Sequence, residues 1–170
     1  MTLAPGDFRK AMGCFATGVT VITVDQGGEV HGMTANAFCS VSLDPPLVLV
    51  CVDHRARTHG HLHARKRFGV NVLAADQQKI SEYYARSTET HQHAEEAGAR
   101  FDCTAHGTPV LHGALAYLEC RLHSVQPAGD HTIFIAEVED VVVREGDPLL
   151  YFRSHYRNMG GPTSGGTPLL

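Results

Sequence analysis

The stretch Gly32-Met33-Thr34-Ala35-Asn36-Ala37-Phe38-Cys39-Ser40-Val41-Ser42 sets hydroxyl and amide side chains at Thr34, Asn36, Ser40 and Ser42 among the small residues Ala35 and Ala37. Asp44-Pro45-Pro46 follows, and then the apolar run Leu47-Val48-Leu49-Val50-Cys51-Val52 before Asp53. Small polar residues between two segments that read as buried strands leave main chain uncovered where side chains would ordinarily fill a core. Hydroxyls, a carboxamide and free N–H groups side by side suit a flat heterocycle whose edge alternates donors and acceptors. A Ser/Thr-rich connection between strands would share the composition, and these residues alone do not separate the two readings.

Two other residue classes invite chemistry. The twelve histidines include His59-Gly60-His61-Leu62-His63 and His91-Gln92-His93. On a helix, His59 and His63 would share a face at a spacing that can bind zinc, yet no acidic or thiolate third ligand is fixed nearby, so a solvated histidine-rich surface and no metal site are expected. The five cysteines, at 14, 39, 51, 103 and 120, form no C-x-x-C pair and leave an odd thiol, which argues against a disulfide framework. Cys51 and Cys120 fall inside apolar strand patterns, where a thiol behaves as a small hydrophobe.

The elements that must carry these groups fit one domain. With 170 residues, 43% of them hydrophobic and 19% charged, the chain can bury one sizeable core. Residues 1–158 are expected to form it, and the Gly/Pro/Ser-rich 159–170 to be a disordered tail. A net charge of −4 with scattered Lys and Arg excludes the basic footprint of a nucleic-acid binder. No apolar stretch reaches membrane-spanning length and no leader pattern opens the chain, so a cytoplasmic location is expected.

Asp7 to Phe15 places Phe8, Met12 and Phe15 at helical spacing, predicting a short helix capped by Asp7 and laid on the core. Val19–Val24 and Glu29–Met33, separated by Asp25-Gln26-Gly27-Gly28, predict a hairpin. The run Leu47–Val52 predicts a central strand buried on both faces. A helix over Thr58–Ala64, a buried strand over Phe68–Leu73 and a helix capped by Asp76 and carrying Ile80, Tyr83 and Tyr84 follow. Ser87–Gly107 reads as a polar, partly helical excursion anchored by Phe101. Two long strands come next, Ala116–Val125 with its even positions inward and Glu119, Arg121 and His123 outward, then His131–Val141 with Phe134, Ala136 and Val138 on one face. Pro127-Ala128-Gly129-Asp130 would turn between them, and Leu149–Phe152 adds a short strand. About six or seven hairpin-linked strands with few, peripheral helices predict a mainly β, split or closed antiparallel Greek-key barrel. The absence of a G-x-G-x-x-G after a strand disfavours a Rossmann fold.

From Phe8 to Tyr156 the chain resembles the short flavin reductases that supply reduced flavin to two-component monooxygenases. The resemblance rests on Thr17-Gly18-Val19-Thr20-Val21-Ile22-Thr23, Gly32-Met33-Thr34-Ala35-Asn36, Ser40-Val41-Ser42-Leu43-Asp44-Pro45-Pro46-Leu47-Val48, Val70-Asn71-Val72-Leu73 and Gly129-Asp130-His131-Thr132-Ile133-Phe134, in this order and spacing. It implies a split β-barrel homodimer that binds FMN or FAD and oxidises NADH or NADPH. It further implies that the flavin ring rests against Thr34, Ala35, Asn36, Ala37, Ser40, Val41 and Ser42, that Cys51, Val52 and Asp53 border the pocket, and that the phosphate lies near Arg57 and Thr58. His131 would contact the nicotinamide; Tyr156 and Arg157 would cover the same opening or the partner subunit.

Two departures stand out. Ala37 and Cys39 replace hydroxyl residues common in the family, which leaves those flavin contacts to the backbone, and Ala56 and Arg57 precede Thr58 where small hydroxyl residues are usual. Arg57 at a helix amino terminus remains a reasonable anion site. Hydride transfer between two stacked rings is cofactor chemistry, so no side chain is expected to be an obligatory acid or base. The rival readings are a flavin-binding carrier or sensor on the same barrel, and a barrel relative that oxidises a small molecule directly. The first would have no need of Gly129-Asp130-His131, and the second would need a basic cluster over the flavin that the sequence lacks.

Overall fold

The structure, a computed structural model, describes residues 3–86 and 94–159. In chain order the elements are α1 (Pro5–Met12), β1 (Thr17–Gly18), β2 (Thr20–Asp25), β3 (Val30–Ala35), β4 (Phe38–Leu43), β5 (Pro46–Asp53), α2 (Arg57–Arg65), β6 (Arg67–Val72), α3 (Gln78–Tyr84), β7 (Phe101–Cys103), β8 (Pro109–Leu111), β9 (Ala116–Ala128), β10 (His131–Val143), β11 (Leu150–Phe152) and β12 (His155–Arg157). Among the described residues the principal sheet has seven strands in the order β3-β2-β6-β9-β10-β5-β4, every pair antiparallel. The smaller sheets are β1-β11-β12 and β7-β8.

The strand order itself closes the barrel. β3 and β4 stand at opposite edges of the sheet, yet only Asn36 and Ala37 separate them along the chain. A link that short forces the two edges to meet, so the sheet rolls up and leaves a seam where β3 and β4 do not pair with each other. One cluster of buried side chains fills the interior, including Ile22, Val24, Val50, Val52, Leu62, Phe68, Val70, Phe134 and Ala136. A second, with Val21, Leu73, Ile80, Tyr84, Leu111 and Leu149, lies under α3 and the β7-β8 hairpin.

Local chemistry explains most elements. The predicted hairpin forms, and the Asp25 carboxylate accepts hydrogen bonds from the Gly27 and Gly28 N–H groups, both glycines having positive φ. Gly69 has a different reason: a Cβ there would sit 2.8 Å from the Pro109 carbonyl and 2.8 Å from the Tyr117 ring. Gly129 and Asp130 make the tight turn between the two longest strands, so β9 runs through Pro127 and Ala128, which had been expected in the turn.

Several expectations are corrected. Strand β5 alternates buried and half-buried positions and lies next to the sheet edge; it is not central and not buried on both faces. Helix α1 begins at Pro5 with Ala4 at its cap and ends at Met12, so Asp7 sits in the first turn and Phe15 lies beyond the helix; the apolar residues do not pack on the core, Phe8 and Met12 being half exposed and Phe15 70% exposed. Asp76 lies in a short 3-10 turn ahead of α3, where it is Gln77 that accepts the Ala74 N–H at 3.0 Å. In β9, Glu119 faces inward and is 2% exposed, because Thr108 and Thr104 donate hydroxyl hydrogen bonds to it at 2.7 and 2.8 Å. Part of the excursion 87–107, including His91 and His93, and residues 160–170 of the expected tail lie outside the described residues. No described helix is long and apolar enough to cross a membrane.

Candidate functional site

The β3–β4 seam collects the residues singled out in the sequence. Thr34 and Ala35 end β3, Asn36 and Ala37 form the link, and Ser40, Val41 and Ser42 lie on β4, where a bulge at Val41 interrupts the register with β5. Asn36, Ala37, Cys39, Ser40 and Val41 are exposed. As edge strands, β3 and β4 each pair on one side only, β3 with β2 and β4 with β5, so their other sides carry main-chain donors and acceptors outside the ladder. The residue types that suit a loop thus form two facing strand edges with backbone outside the ladder.

The side chains of the seam are not all turned toward it. Thr34 donates its hydroxyl to the Ser81 carbonyl at 2.7 Å, and the Ser81 hydroxyl is hydrogen-bonded to Tyr156 at 2.9 Å. Tyr156 is therefore tied to α3 behind Thr34, while Arg157 is exposed. Ala35 is anchored through its carbonyl, which accepts the Thr20 hydroxyl, and the Ala37 carbonyl accepts the Cys51 N–H at 3.0 Å. Val52 is buried in the core, so its contribution to any opening is its backbone.

The register between β5 and β10 brings His131 opposite Asp53 and Thr132 opposite Val52, which joins the second predicted group to the first. His131 Nδ1 lies 2.7 Å from the Asp130 carboxylate. Arg55 donates to the Asp53 carboxylate through its backbone and side chain, at 2.7 Å from Nη2, and these hydrogen bonds hold the Asp53 carboxyl far below the usual carboxylate range. The bond to His131 likewise lowers Asp130. The paired ends of β5 and β10 therefore carry two firmly ionised carboxylates, a guanidinium and an imidazole. Cys51 is half buried, and its thiol is pushed up by burial and by the neighbouring Cys39.

Helix α2 starts beside these strand ends. Its cap residue, Ala56, has no side-chain oxygen to offer the first turn, and it is the Ala56 carbonyl that accepts the His59 N–H at 3.0 Å. Arg57 is exposed at its first position. Thr58, expected at the phosphate, is 2% exposed and hydrogen-bonded to His31 Nε2 at 2.8 Å, so its hydroxyl is engaged inside the protein.

Sequence reasoning missed the contacts of the histidine-rich helix. His59 is half buried, its Nε2 lies 2.9 Å from the Thr132 hydroxyl, and the His59 and His63 rings meet the buried Phe134 edge-on. The i, i+4 spacing that suggested zinc is used for packing. No described group of three His, Cys, Asp or Glu side chains is arranged to hold a metal ion. A concavity of about 420 Å³ between α1 and the β11–β12 turn, lined by Arg9, Lys10, Gly13, Cys14, Arg153 and Ser154, holds none of the predicted site residues.

Comparison with known proteins agrees with this geometry. Residues 12–160 match the flavin reductase like domain. A flavin reductase from Rhodococcus described as NADH-dependent is 38% identical over 92% of this chain and 88% of its own length. The reductase component of 4-hydroxyphenylacetate 3-monooxygenase from Thermus thermophilus is 40% identical over 92% of this chain and 97% of its own. Among solved structures, the NADH:FAD oxidoreductase of Streptomyces globisporus in complex with NAD and FAD fragments superposes with a TM-score of 0.86 at 36% identity, covering 97% of this chain and 99% of that one. With a matching domain across most of its length and relatives well above 30% identity, the chain belongs to the flavin reductase-like family.

Proposed function

We propose that this protein is an NAD(P)H:flavin oxidoreductase that reduces FMN or FAD and supplies the reduced flavin to a partner monooxygenase. The observation that carries the reading is the β3–β4 seam: two strand edges with unspent backbone hydrogen-bonding groups, small residues at Ala35 and Ala37, and an uncapped helix start nearby. A flat ring with a polar edge and an anionic tail fits such a site. The flavin, when bound, supplies the acceptor for a hydride from the nicotinamide.

The residues of the chain bind and orient. Thr34, Ala35, Asn36, Ala37, Ser40, Val41 and Ser42 offer the seam to the ring, with Cys51, Val52 and Asp53 as its far wall. The first-turn N–H groups at Arg57 and Thr58, with the Arg57 guanidinium, attract the phosphate. His131, oriented by Asp130, contacts the nicotinamide. No step asks for a protein nucleophile, and no side chain is an obligatory acid or base.

A single domain over residues 1–158 carries the site, in the cytoplasm, as a homodimer. The exposed Phe8 and Met12 of α1, Phe15 just beyond it, Val41 and Leu43 of β4 and Val143 at the end of β10 support the second copy, which would cover apolar side chains left in water. The reductase of a two-component monooxygenase among the relatives supports the partner.

Oxidation of NADH and NADPH, followed by absorbance with FMN and with FAD added, tests the reading. Nucleotide consumption that depends on added flavin is expected; flavin binding without consumption would favour a carrier. Exchanging His131→Ala should raise the nucleotide KM by about tenfold and lower kcat much less, as loss of a binding contact does. Unchanged constants would remove His131 from the site.

A further inference from the structure

The Thr132 hydroxyl joins three separate segments. His54 Nε2 lies 3.1 Å from it and His59 Nε2 2.9 Å, so one oxygen links the turn after β5, helix α2 and strand β10. Thr132 is 5% exposed, and among the described residues its hydroxyl has no other partner. The backbone reinforces the junction, because the His54 N–H donates to the Asp130 carbonyl at 3.1 Å. Directly beside it stand His131 and, across the ladder, Asp53.

A hydroxyl carries one proton and can accept from a second donor. Satisfying both contacts with neutral rings therefore needs opposite tautomers: one imidazole accepts at Nε2 from Thr132, and the other donates its Nε2–H to the same oxygen. Adding a proton to the accepting ring turns it into a donor and leaves the buried hydroxyl proton without an acceptor. The surroundings also oppose a charge there. The His63 ring lies 4.8 Å from His59 and the His54 ring 5.3 Å, and the buried Phe134 ring stands near-perpendicular to His59 at 5.4 Å. The other charged groups at the junction are Arg57 on α2, Arg55 paired with Asp53, and Asp130 paired with His131. Burial, then His63 and His54, hold His59 below the ordinary histidine range.

We propose that His54 and His59, acting through Thr132, are positioning residues that fix His131 and the first turn of α2 relative to each other for the reductase reaction. The inference rests on the reading of His131 as the nicotinamide contact. It gives the histidine-rich helix a function that a solvated surface would not have.

Two variants separate the hydroxyl from the volume it fills. Thr132→Val keeps the branched shape and removes the clamp, and should raise the nucleotide KM by about fivefold or more while kcat changes by less than about twofold. Thr132→Ser keeps the oxygen and should restore the wild-type constants. As pH falls below about 6.5, the ordinary histidine value that His59 lies beneath, the wild-type nucleotide KM should rise, and it should rise less in His59→Gln, which cannot become cationic at that position. Should Thr132→Val not fold, histidine ring-nitrogen NMR of the wild-type protein decides on its own, with opposite tautomers expected for His54 and His59. A Thr132→Val enzyme with wild-type KM, a Thr132→Ser enzyme as impaired as Thr132→Val, or two rings in the same neutral tautomer would each overturn the proposal. A wild-type protein that oxidises no nucleotide would instead strike the reductase reading, and the NMR result would still judge the clamp.

Discussion

The wall formed by β6, β9 and β10 and the seam between β3 and β4 belong to the same sheet, yet they use their backbone in opposite ways. In the wall each strand pairs on both sides, and Phe68, Val70, Cys120, Phe134 and Ala136 fill the space beneath. Even its buried carboxylate is satisfied: Glu119 accepts hydrogen bonds from Thr108 and Thr104, with His106 Nδ1 at 3.4 Å. At the seam each strand pairs once, the residues are small or exposed, and the carboxylates of Asp53 and Asp130 sit beside the Arg55 guanidinium and the His131 imidazole. The contrast teaches that the core is packed where strand pairing is complete on both sides, whereas backbone groups that could meet a flat polar guest are found where one pairing is withheld.

Deleting side chains should separate the two regions most sharply. Phe68→Ala empties a fully buried position of the wall and should cost about 3–5 kcal/mol of unfolding free energy in a urea titration. A loss of less than about 1 kcal/mol would mean that the wall does not carry the fold. The converse change, Ala37→Leu, adds bulk at the exposed lip of the seam. It should weaken FMN or FAD binding by about tenfold, or about 1.4 kcal/mol, and leave the urea midpoint within about 0.5 kcal/mol of the wild-type stability. Equal effects on binding and stability would erase the distinction.

Glu119 sharpens the comparison through pH. Burial alone would raise its pKa, but the hydrogen bonds from Thr108, Thr104 and His106 outweigh burial and lower it. A lowered folded-state value means that the unfolded chain takes up the proton first. The resulting stability is complete above the ordinary glutamate range and is lost as pH falls through the folded value. Glu119→Gln should therefore flatten the acid limb of the stability curve below about pH 5, the smallest of these effects, measured by thermal unfolding between about pH 3 and 7. An unchanged acid limb would mean that Glu119 does not hold the wall together through its charge.

Much of this contrast was readable before the structure. The Asp25-Gln26-Gly27-Gly28 turn, the β-branched runs of β2 and β6 and the apolar alternation of β10 reported their elements because turn chemistry and side-chain period are local. The seam was legible as an excess of small polar residues from Thr34 to Ser42. What could not be read was pairing partner: Leu47–Val52 looked central because an apolar run reports burial, not position in a sheet. Glu119 looked outward because period alone cannot anticipate hydroxyls that arrive from Thr104 and Thr108. The outward face of α1 failed for a related reason, since Phe8, Met12 and Phe15 mark an apolar stripe without naming what covers it. The histidines of α2 gave a spacing but not the Thr132 oxygen that uses it.

A crystal structure of the protein soaked with FMN tests the central claim most directly. The isoalloxazine ring should lie across the seam, with main-chain atoms between Thr34 and Ser42 within hydrogen-bonding distance of its polar edge and its phosphate at the first turn of α2. Flavin bound elsewhere, with β3 and β4 paired to each other and the seam shut, would contradict the account.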